Sequence, residues 1–323
     1  STVISGGGRL VPLLEREGSR HVSWPIGRKS PLILNYILPL RRFLAGQQVD
    51  VLHVRSRLPG WVGYVAWRSL PKHARPTFLT TFHGFYSVNR YSAVMAKGER
   101  VIANSKEIAN HIMKVYGVPE DRIVVIYRGV DERTFNPALV SMERIRRIGC
   151  QWRLNEGQLN RGRINEGQPN DGTPPVIMLP GRLTAWKGQD IFIQSLSRVK
   201  ALPWMAVCVG DLDEHPSYTK RLQNLIFREQ LENRVRLVGH CDDMPAAYMI
   251  SDVVVSASST EPEAFGRISI EAQAMGKPVI ATAHGGSLET VLEGKTGWLV
   301  KPCDVGDLAK ALCEALQDRT SCI

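Results

Sequence analysis

Short β-branched runs alternate with amphipathic helical stretches along this chain, and the alternation runs through twice. A strand that leads into a helix and then another strand reads as a parallel sheet, because parallel neighbours need a crossover. In the first half strands are predicted at Thr2–Ser5, Val49–Val54, Thr77–Thr81, Val101–Ala103 and Ile123–Ile126. Helices are expected over 9–17, 31–45, 59–70, 87–97 and 105–116. After Arg128-Gly129-Val130-Asp131 the rhythm breaks, then restarts with strands at Val176–Leu179, Ala206–Val209, Val235–Leu237, Asp252–Ala257 and Val279–Ala281. Helices are expected there over 189–198, 217–230, 244–250, 267–275 and near 305–317. The fold class is therefore α/β, with two Rossmann-like lobes, a cleft between them and ligands at the carboxyl ends of the strands.

The 323 residues suit two domains. The boundaries read as a first lobe over 1–130, a linker over 131–172 and a second lobe over 173–323. Within the linker, Arg153 to Asn160 recurs ten residues later as Arg163 to Asn170. Two copies are too few to stack as a solenoid, and their polar, Gly/Asn-rich make-up predicts a surface loop over 150–173.

Composition closes off several classes. The chain is 43% hydrophobic and 22% charged, as ordinary globular domains are. Its longest apolar run, Pro31 to Leu40, is interrupted by Asn35 and Pro39 and ends at Arg41 and Arg42, too short to span a bilayer. No secretory pattern opens the sequence as given, and six cysteines without paired spacing predict free thiols in a cytoplasmic setting.

Charge is uneven. Residues 1–130 carry 19 Lys+Arg against 7 Asp+Glu, and the remainder 22 against 24. The basic half is either a solvated surface or an attraction for acidic lipid headgroups or a phosphorylated substrate. Nucleic acid is not expected, since no dense basic-aromatic tract appears. The helix over 31–45 is either a core helix or a membrane-surface helix using Leu34, Ile37, Leu38 and Leu40, with Arg41 and Arg42 at the headgroups. The latter reading would place the protein at the inner face of a membrane.

The residues that carry chemistry lie at strand ends. Glu263 and Glu271 stand eight apart in Glu263-Ala264-Phe265-Gly266-Arg267-Ile268-Ser269-Ile270-Glu271, after a valine strand and across a predicted helix start. Gly266 permits close backbone approach, and a helix N-terminus suits an anionic diphosphate. Gly181-Arg182-Leu183-Thr184-Ala185-Trp186-Lys187-Gly188 follows another strand and offers two cations, Arg182 and Lys187, to a leaving diphosphate.

Other candidates are weaker. Asp211-Leu212-Asp213 has the look of a metal-binding pair but reads as a turn, so no metal is expected. His53 reads as a packed histidine, His83 beside Gly84 as functional, and His284-Gly285-Gly286 as either. Trp61 and Trp67 read as packing. Gly6-Gly7-Gly8 lacks the spacing of a dinucleotide fingerprint and reads as a strand-to-helix turn.

Glu263 to Glu271 resembles the E-x7-E motif of the large retaining GT-B glycosyltransferase family (family 4 type, group 1) that includes phosphatidylinositol mannosyltransferases and sucrose synthases. Gly181 to Gly188 is similar to its G-R-L-x-x-x-K-G segment, and Thr80-Thr81-Phe82-His83-Gly84 and Arg100 to Ser105 to its first-lobe segments. Tyr127 to Asp131, Gly276 to Ala281 and Gly294 to Val300 also match, although Arg128 stands where Asn is usual. The likeness covers most of 1–318 and is strongest over 176–302.

The resemblance implies transfer of a sugar from a UDP-, GDP- or ADP-sugar to a glycan or lipid-linked acceptor with retention, in cell-envelope polysaccharide or lipopolysaccharide synthesis. It implies no separate cofactor. Glu271 would hold the ribose, Glu263 the donor sugar near the reacting carbon, and Arg182 and Lys187 the diphosphate. The backbone of Phe265 and Gly266 would approach the phosphates, His83 would face the sugar or acceptor, and Gly239 and His240 would lie by the base. The family's opening strand, glycine loop and helix do not precede Thr2, and its closing helix does not follow, so a truncated chain is expected. A nucleotide-sugar-binding module with little turnover and a UDP-sugar epimerase are the alternatives.

Overall fold

Helices wind around parallel strands in both halves of the computed structural model, which describes residues 1–160 and 173–317. The chain divides into two units, Ser1–Tyr127 and Arg128–Ile323.

The first unit runs β1 (Thr2–Ser5), α1 (Val11–Arg16), β2 (Arg20–Ser23), α2 (Ile37–Gly46), β3 (Val51–Val54), α3 (Arg57–Arg68), β4 (Thr77–Phe82), β5 (Arg100–Ala103), α4 (Lys106–Tyr116) and β6 (Ile123–Val125). Strands β3-β4-β5-β6 form one parallel sheet and β1-β2 a second. Strand β2, a polar Arg-His-Val-Ser run, has no apolar signature and was not predicted. Gly60 and Gly63 let α3 sit close to its neighbours: a Cβ there would lie 3.2 Å from Val94 and 3.0 Å from Val54. Trp67 stacks on Tyr64 and Phe78, which confirms its packing role. Helix α4 starts where Ser105 accepts the Ile108 N–H at 3.1 Å and stops at Gly117, φ +64°.

Two expected helices are modified. The stretch over 87–97 narrows to a 3-10 segment at Ser92–Lys97, and 31–45 opens as a 3-10 turn at Pro31–Tyr36 before α2. Its apolar side chains divide: Ile33, Leu40 and Leu44 are buried with Ile37 packed against them, while Leu32, Leu34 and Leu38 are 59–70% exposed. The expected outward face therefore loses Ile37 and Leu40 to the core.

The second unit contains α5 (Met142–Gln151), α6 (Glu156–Asn160), β7 (Val176–Pro180), α7 (Gln189–Arg198), β8 (Met205–Val209), α8 (Pro216–Arg228), β9 (Val235–Leu237), α9 (Met244–Ile250), β10 (Val253–Ser256), α10 (Arg267–Ala274), β11 (Val279–Thr282), α11 (Ser287–Thr290), β12 (Gly297–Val300) and α12 (Val305–Gln317). Its six strands are all parallel in the order β12-β11-β10-β7-β8-β9. The chain enters at mid-sheet on β7, winds outward to β9, then returns to β10 and winds outward the other way. The reversal between β7 and β10 is the switch point at which open α/β sheets bind ligands.

Both faces of this sheet are covered, which is why β7 and β10 are apolar without alternation. Ile177 and Leu179 pack with α7, α8 and α12. Val176 and Met178 face the opposite way, onto Ile145 and Ile148 of α5 and Tyr248 of α9.

Residues 150–160 are not the expected surface loop. The first copy of the repeat ends in α6, with Trp152 and Leu159 buried against α5 and Gly149 leaving room for Leu159. Asn155 and Gln158 each accept the other's backbone N–H, at 2.9 and 3.0 Å, a reciprocal helix start. With Leu154 also buried in the same cluster, three apolar side chains in a polar stretch were enough to dock it. The second copy lies outside the described residues.

Helix α5 is clamped to α9 across 99 residues. Arg144 donates to both Asp243 oxygens, at 2.9 and 2.6 Å, and Arg147 donates at 2.8 Å. The Arg144 hydrogen bond holds the Asp243 carboxyl below its ordinary range.

Candidate active site

Glycines line the carboxyl ends of β7, β8 and β9. The Gly181 N–H donates to Val209 at 2.8 Å and the Gly210 N–H to Gly239 at 2.9 Å. A Cβ on Gly210 would lie 2.2 Å from the Gly181 carbonyl oxygen, so a side chain cannot enter this row. Gly239 takes φ +78°, and His240 follows it, exposed, with Nε2 3.0 Å from Asp242 Oδ1.

Beyond Gly181 the chain crosses toward β10. Arg182 is exposed, and its carbonyl accepts from Gln189 at 2.9 Å. The turn through Ala185–Lys187 ends at Gly188 (φ +71°), where a Cβ would lie 1.9 Å from the Ala257 carbonyl oxygen. This contact pins Lys187 beside the loop after β10. Lys187 Nζ pairs with Glu263 Oε1 and sits 4.2 Å from the Trp186 ring centroid. Ser258 donates to the same Glu263 oxygen at 2.7 Å. Glu263 is thus a largely buried carboxylate already met by one cation and one hydroxyl.

The chain then enters α10. Gly266, at φ +84°, occupies the N-cap position, and no side chain caps the helix. The loop before it is braced by Gly285 and Gly286: the Gly286 N–H donates to the Glu263 carbonyl at 2.7 Å. A Cβ on Gly286 would lie 2.3 Å from Phe265 Cα. Two hydroxyls here, Ser269 Oγ and Ser287 Oγ, are buried without a hydrogen-bond partner, as is Thr184 Oγ1 on the β7 side. Orphan donors around an uncapped helix start make the place a receiver of acceptor oxygens.

Glu271 lies in the second turn of α10. Arg267 donates to its Oε1 through Nε at 3.1 Å and Nη2 at 2.6 Å, and the Tyr248 hydroxyl donates to Oε2 at 3.1 Å. Burial, then the neighbouring Glu271 charge, pushes the Tyr248 phenol well above its ordinary range, so it remains a donor. His284 Nε2 lies 2.9 Å from the Ser258 carbonyl, and burial lowers its pKa.

The structure thus gathers Lys187, Glu263, Phe265, Gly266 and Glu271 around one helix start, with Arg182, Gly239 and His240 along the same sheet edge. His83 belongs to the first unit, at the end of β4, where Arg55 Nε lies 3.4 Å from His83 Nε2. His53, one strand over, is 2.6 Å from Thr81 Oγ1, and burial lowers its pKa. Asp211 accepts the Asp213 N–H at 2.8 Å, a local turn after β8. Sequence reasoning missed Ser258, Arg267 and Tyr248. The first two carry no motif signal on their own, and Tyr248 stands 23 residues from the carboxylate it serves.

The comparisons with known proteins bear on the family and the fold. The family model described as "Glycosyl transferases group 1" matches residues 160–322, and that described as "Glycosyltransferase Family 4" matches 1–134. A glycosyltransferase of Rickettsia africae, known from a crystal structure, is 35% identical with a TM-score of 0.82, covering 97% of this chain and 78% of its own. Anabaena HepE in complex with UDP and glucose is 26% identical with a TM-score of 0.77, covering 99% of this chain and 83% of its own. D-inositol 3-phosphate glycosyltransferase of Xylanimonas cellulosilytica is 31% identical over 70% of this chain and 50% of its own. The chain spans about half the length of the curated relatives it matches. The switch-point sheet, the match over half its length and the similarity to the Rickettsia structure together show that the chain belongs to the group 1 glycosyl transferases.

Proposed function

We propose that this chain moves a sugar from a nucleoside-diphosphate donor to a hydroxyl of a glycan or lipid-linked acceptor, with retention at the anomeric carbon. The observation that carries the reading is the uncapped start of α10, flanked by Glu263 and Glu271, each held against a cation. HepE, whose structures contain UDP and UDP-glucose, supports a nucleotide-sugar donor.

In this reading the diphosphate lies against the first N–H groups of α10 and the Gly266 backbone, with Arg182 and Lys187 meeting its charge in place of a metal. Glu271 accepts from the ribose, and Gly239 and His240 border the base. Glu263 accepts from donor-sugar hydroxyls. A carboxylate already engaged by Lys187 and Ser258 is a weak nucleophile, which favours front-face substitution over a covalent glycosyl intermediate. The anomeric C–O bond to the diphosphate breaks and the acceptor oxygen bonds on the same face. The acceptor proton passes to the departing phosphate oxygen. His83, which accepts from Arg55 Nε, is given the sugar or acceptor side by the resemblance.

Several of the curated relatives are D-inositol 3-phosphate glycosyltransferases, a name that carries phosphate, and the basic charge of residues 1–130 suits such a group. Exposed Leu32, Leu34 and Leu38, with Arg28, Lys29, Arg41 and Arg42 nearby in sequence, suit peripheral contact with an anionic membrane from the cytoplasmic side. No helix among the described residues is long and apolar enough to cross a membrane.

Calorimetric titration with UDP-, GDP- and ADP-sugars, followed by assay for sugar release or transfer, tests the reading. Binding of one nucleotide with transfer supports it, and binding without turnover points to a binding module. Epimerised free donor would indicate an isomerase, and no binding by any of the three would sink it.

A further inference from the structure

We propose that Tyr248 and Arg267 set ribose recognition in opposite directions, Tyr248 by fixing one oxygen of Glu271 and Arg267 by masking the other. The proposal rests on the reading of Glu271 as the ribose ligand.

A carboxylate offers about four acceptor positions. Arg267 fills both positions of Oε1 with Nε and Nη2, and Tyr248 fills one of Oε2. One position remains. A ribose presents two neighbouring hydroxyls, so it can engage Glu271 fully only if Arg267 withdraws.

The two neighbours differ in how easily they move. Tyr248 is fully buried on α9, whose residues from Pro245 to Ile250 are all buried, and its hydroxyl points to Glu271. It cannot leave without opening the core. Arg267 sits at the first position of α10 with its side chain 59% exposed, where a solvent-screened ion pair holds only weakly. Tyr248 is therefore a positioning residue, and Arg267 is a placeholder that yields to the diol.

The decisive quantity is a ratio. UDP, GDP and ADP are each titrated beside their 2′,3′-dideoxy forms at pH 8, where carboxylates are ionised. Contacts to base and diphosphate cancel in the ratio of the two dissociation constants. For the nucleotide that binds, wild type should prefer the ribose form by about tenfold or more. Tyr248→Phe should lower that preference about fivefold while leaving the dideoxy affinity unchanged. Arg267→Ala should raise it about threefold, whatever it does to overall affinity.

An unaltered ratio in Tyr248→Phe with a native melting transition overturns the positioning role. An unaltered or lower ratio in Arg267→Ala overturns the masking role, and that exposed site permits the test even if Tyr248→Phe does not fold. Glu271→Gln separates the two levels. If it keeps the wild-type ratio, the ribose reading itself fails. If it loses the ratio while the other two variants keep it, the ribose reading stands and this proposal falls.

Discussion

The carboxyl edges of the two larger sheets are built differently. In the second unit the edge is backbone on backbone: Gly181, Gly210 and Gly239 stand in a row, and Gly188 and Gly285 press on carbonyls of the neighbouring loop. In the first unit it is made of side chains, with His53 against Thr81, Arg55 against His83 and a buried Asn104 whose Oδ1 has no hydrogen-bond partner. Backbone contacts admit one residue type, whereas side-chain contacts admit many. A binding edge that must hold the same chemical group every time suits the first construction, and one whose ligand varies suits the second.

The largest expected effect tests the backbone edge directly. Gly188→Ala combines φ +71° with a Cβ 1.9 Å from a carbonyl oxygen, and should destabilise the second unit by about 3 kcal/mol or more in urea denaturation. Gly84→Ala in the first unit meets nothing within 4 Å and should stay within about 0.5 kcal/mol. Equal costs at the two positions would erase the contrast.

Next in size is Lys187→Met, which leaves Glu263 with Ser258 alone and removes a cation from the proposed diphosphate site. Turnover should fall by about 10²–10³, read from steady-state kinetics. Glu271→Ala should then weaken nucleotide binding by about 1.5–3 kcal/mol in calorimetry. His83→Asn should reduce turnover by about tenfold while nucleotide affinity stays the same, since the residue belongs to the side-chain edge.

The smallest effect is one of pH. Burial lowers the pKa of His53 and His284, so their unfolded forms bind protons more readily than the folded ones. Their contribution to stability is present above the unfolded value near 6.5 and is lost as pH falls through the folded values. Each edge should thus soften in mild acid. His53→Gln and His284→Gln should each flatten the dependence of the melting temperature below about pH 6.5.

Much of this was legible beforehand. Helix bounds over 189–198 and 244–250 and the strand at Val235–Leu237 were read without error, because apolar periodicity and burial coincide there. That Glu263 and Lys187 come together was legible because the segment of each follows a strand, and Glu271 because it falls in the helix that starts at Arg267. Strand order was not: nothing local states that β10 returns beside β7. The α5–α6 region was misread because its anchors, Trp152, Leu154 and Leu159, are scattered just before and within a polar repeat. Tyr248 reads as one more core aromatic, and only the fold brings its hydroxyl to Glu271.

The clamp between Arg144, Arg147 and Asp243 bears on how the chain matures during synthesis. Helix α5 emerges from the ribosome before any strand of the sheet that it covers, and its anchor follows 99 residues later. Val176 and Met178 of β7 and Val207 and Val209 of β8 give Ile145 and Ile148 part of their native surface early, but until α9 appears that surface is incomplete, a situation that attracts chaperones or aggregation. Locking α5 in place is therefore a late event in assembly, and slowing translation between α5 and α9 should lengthen the window in which the nascent chain sticks to others.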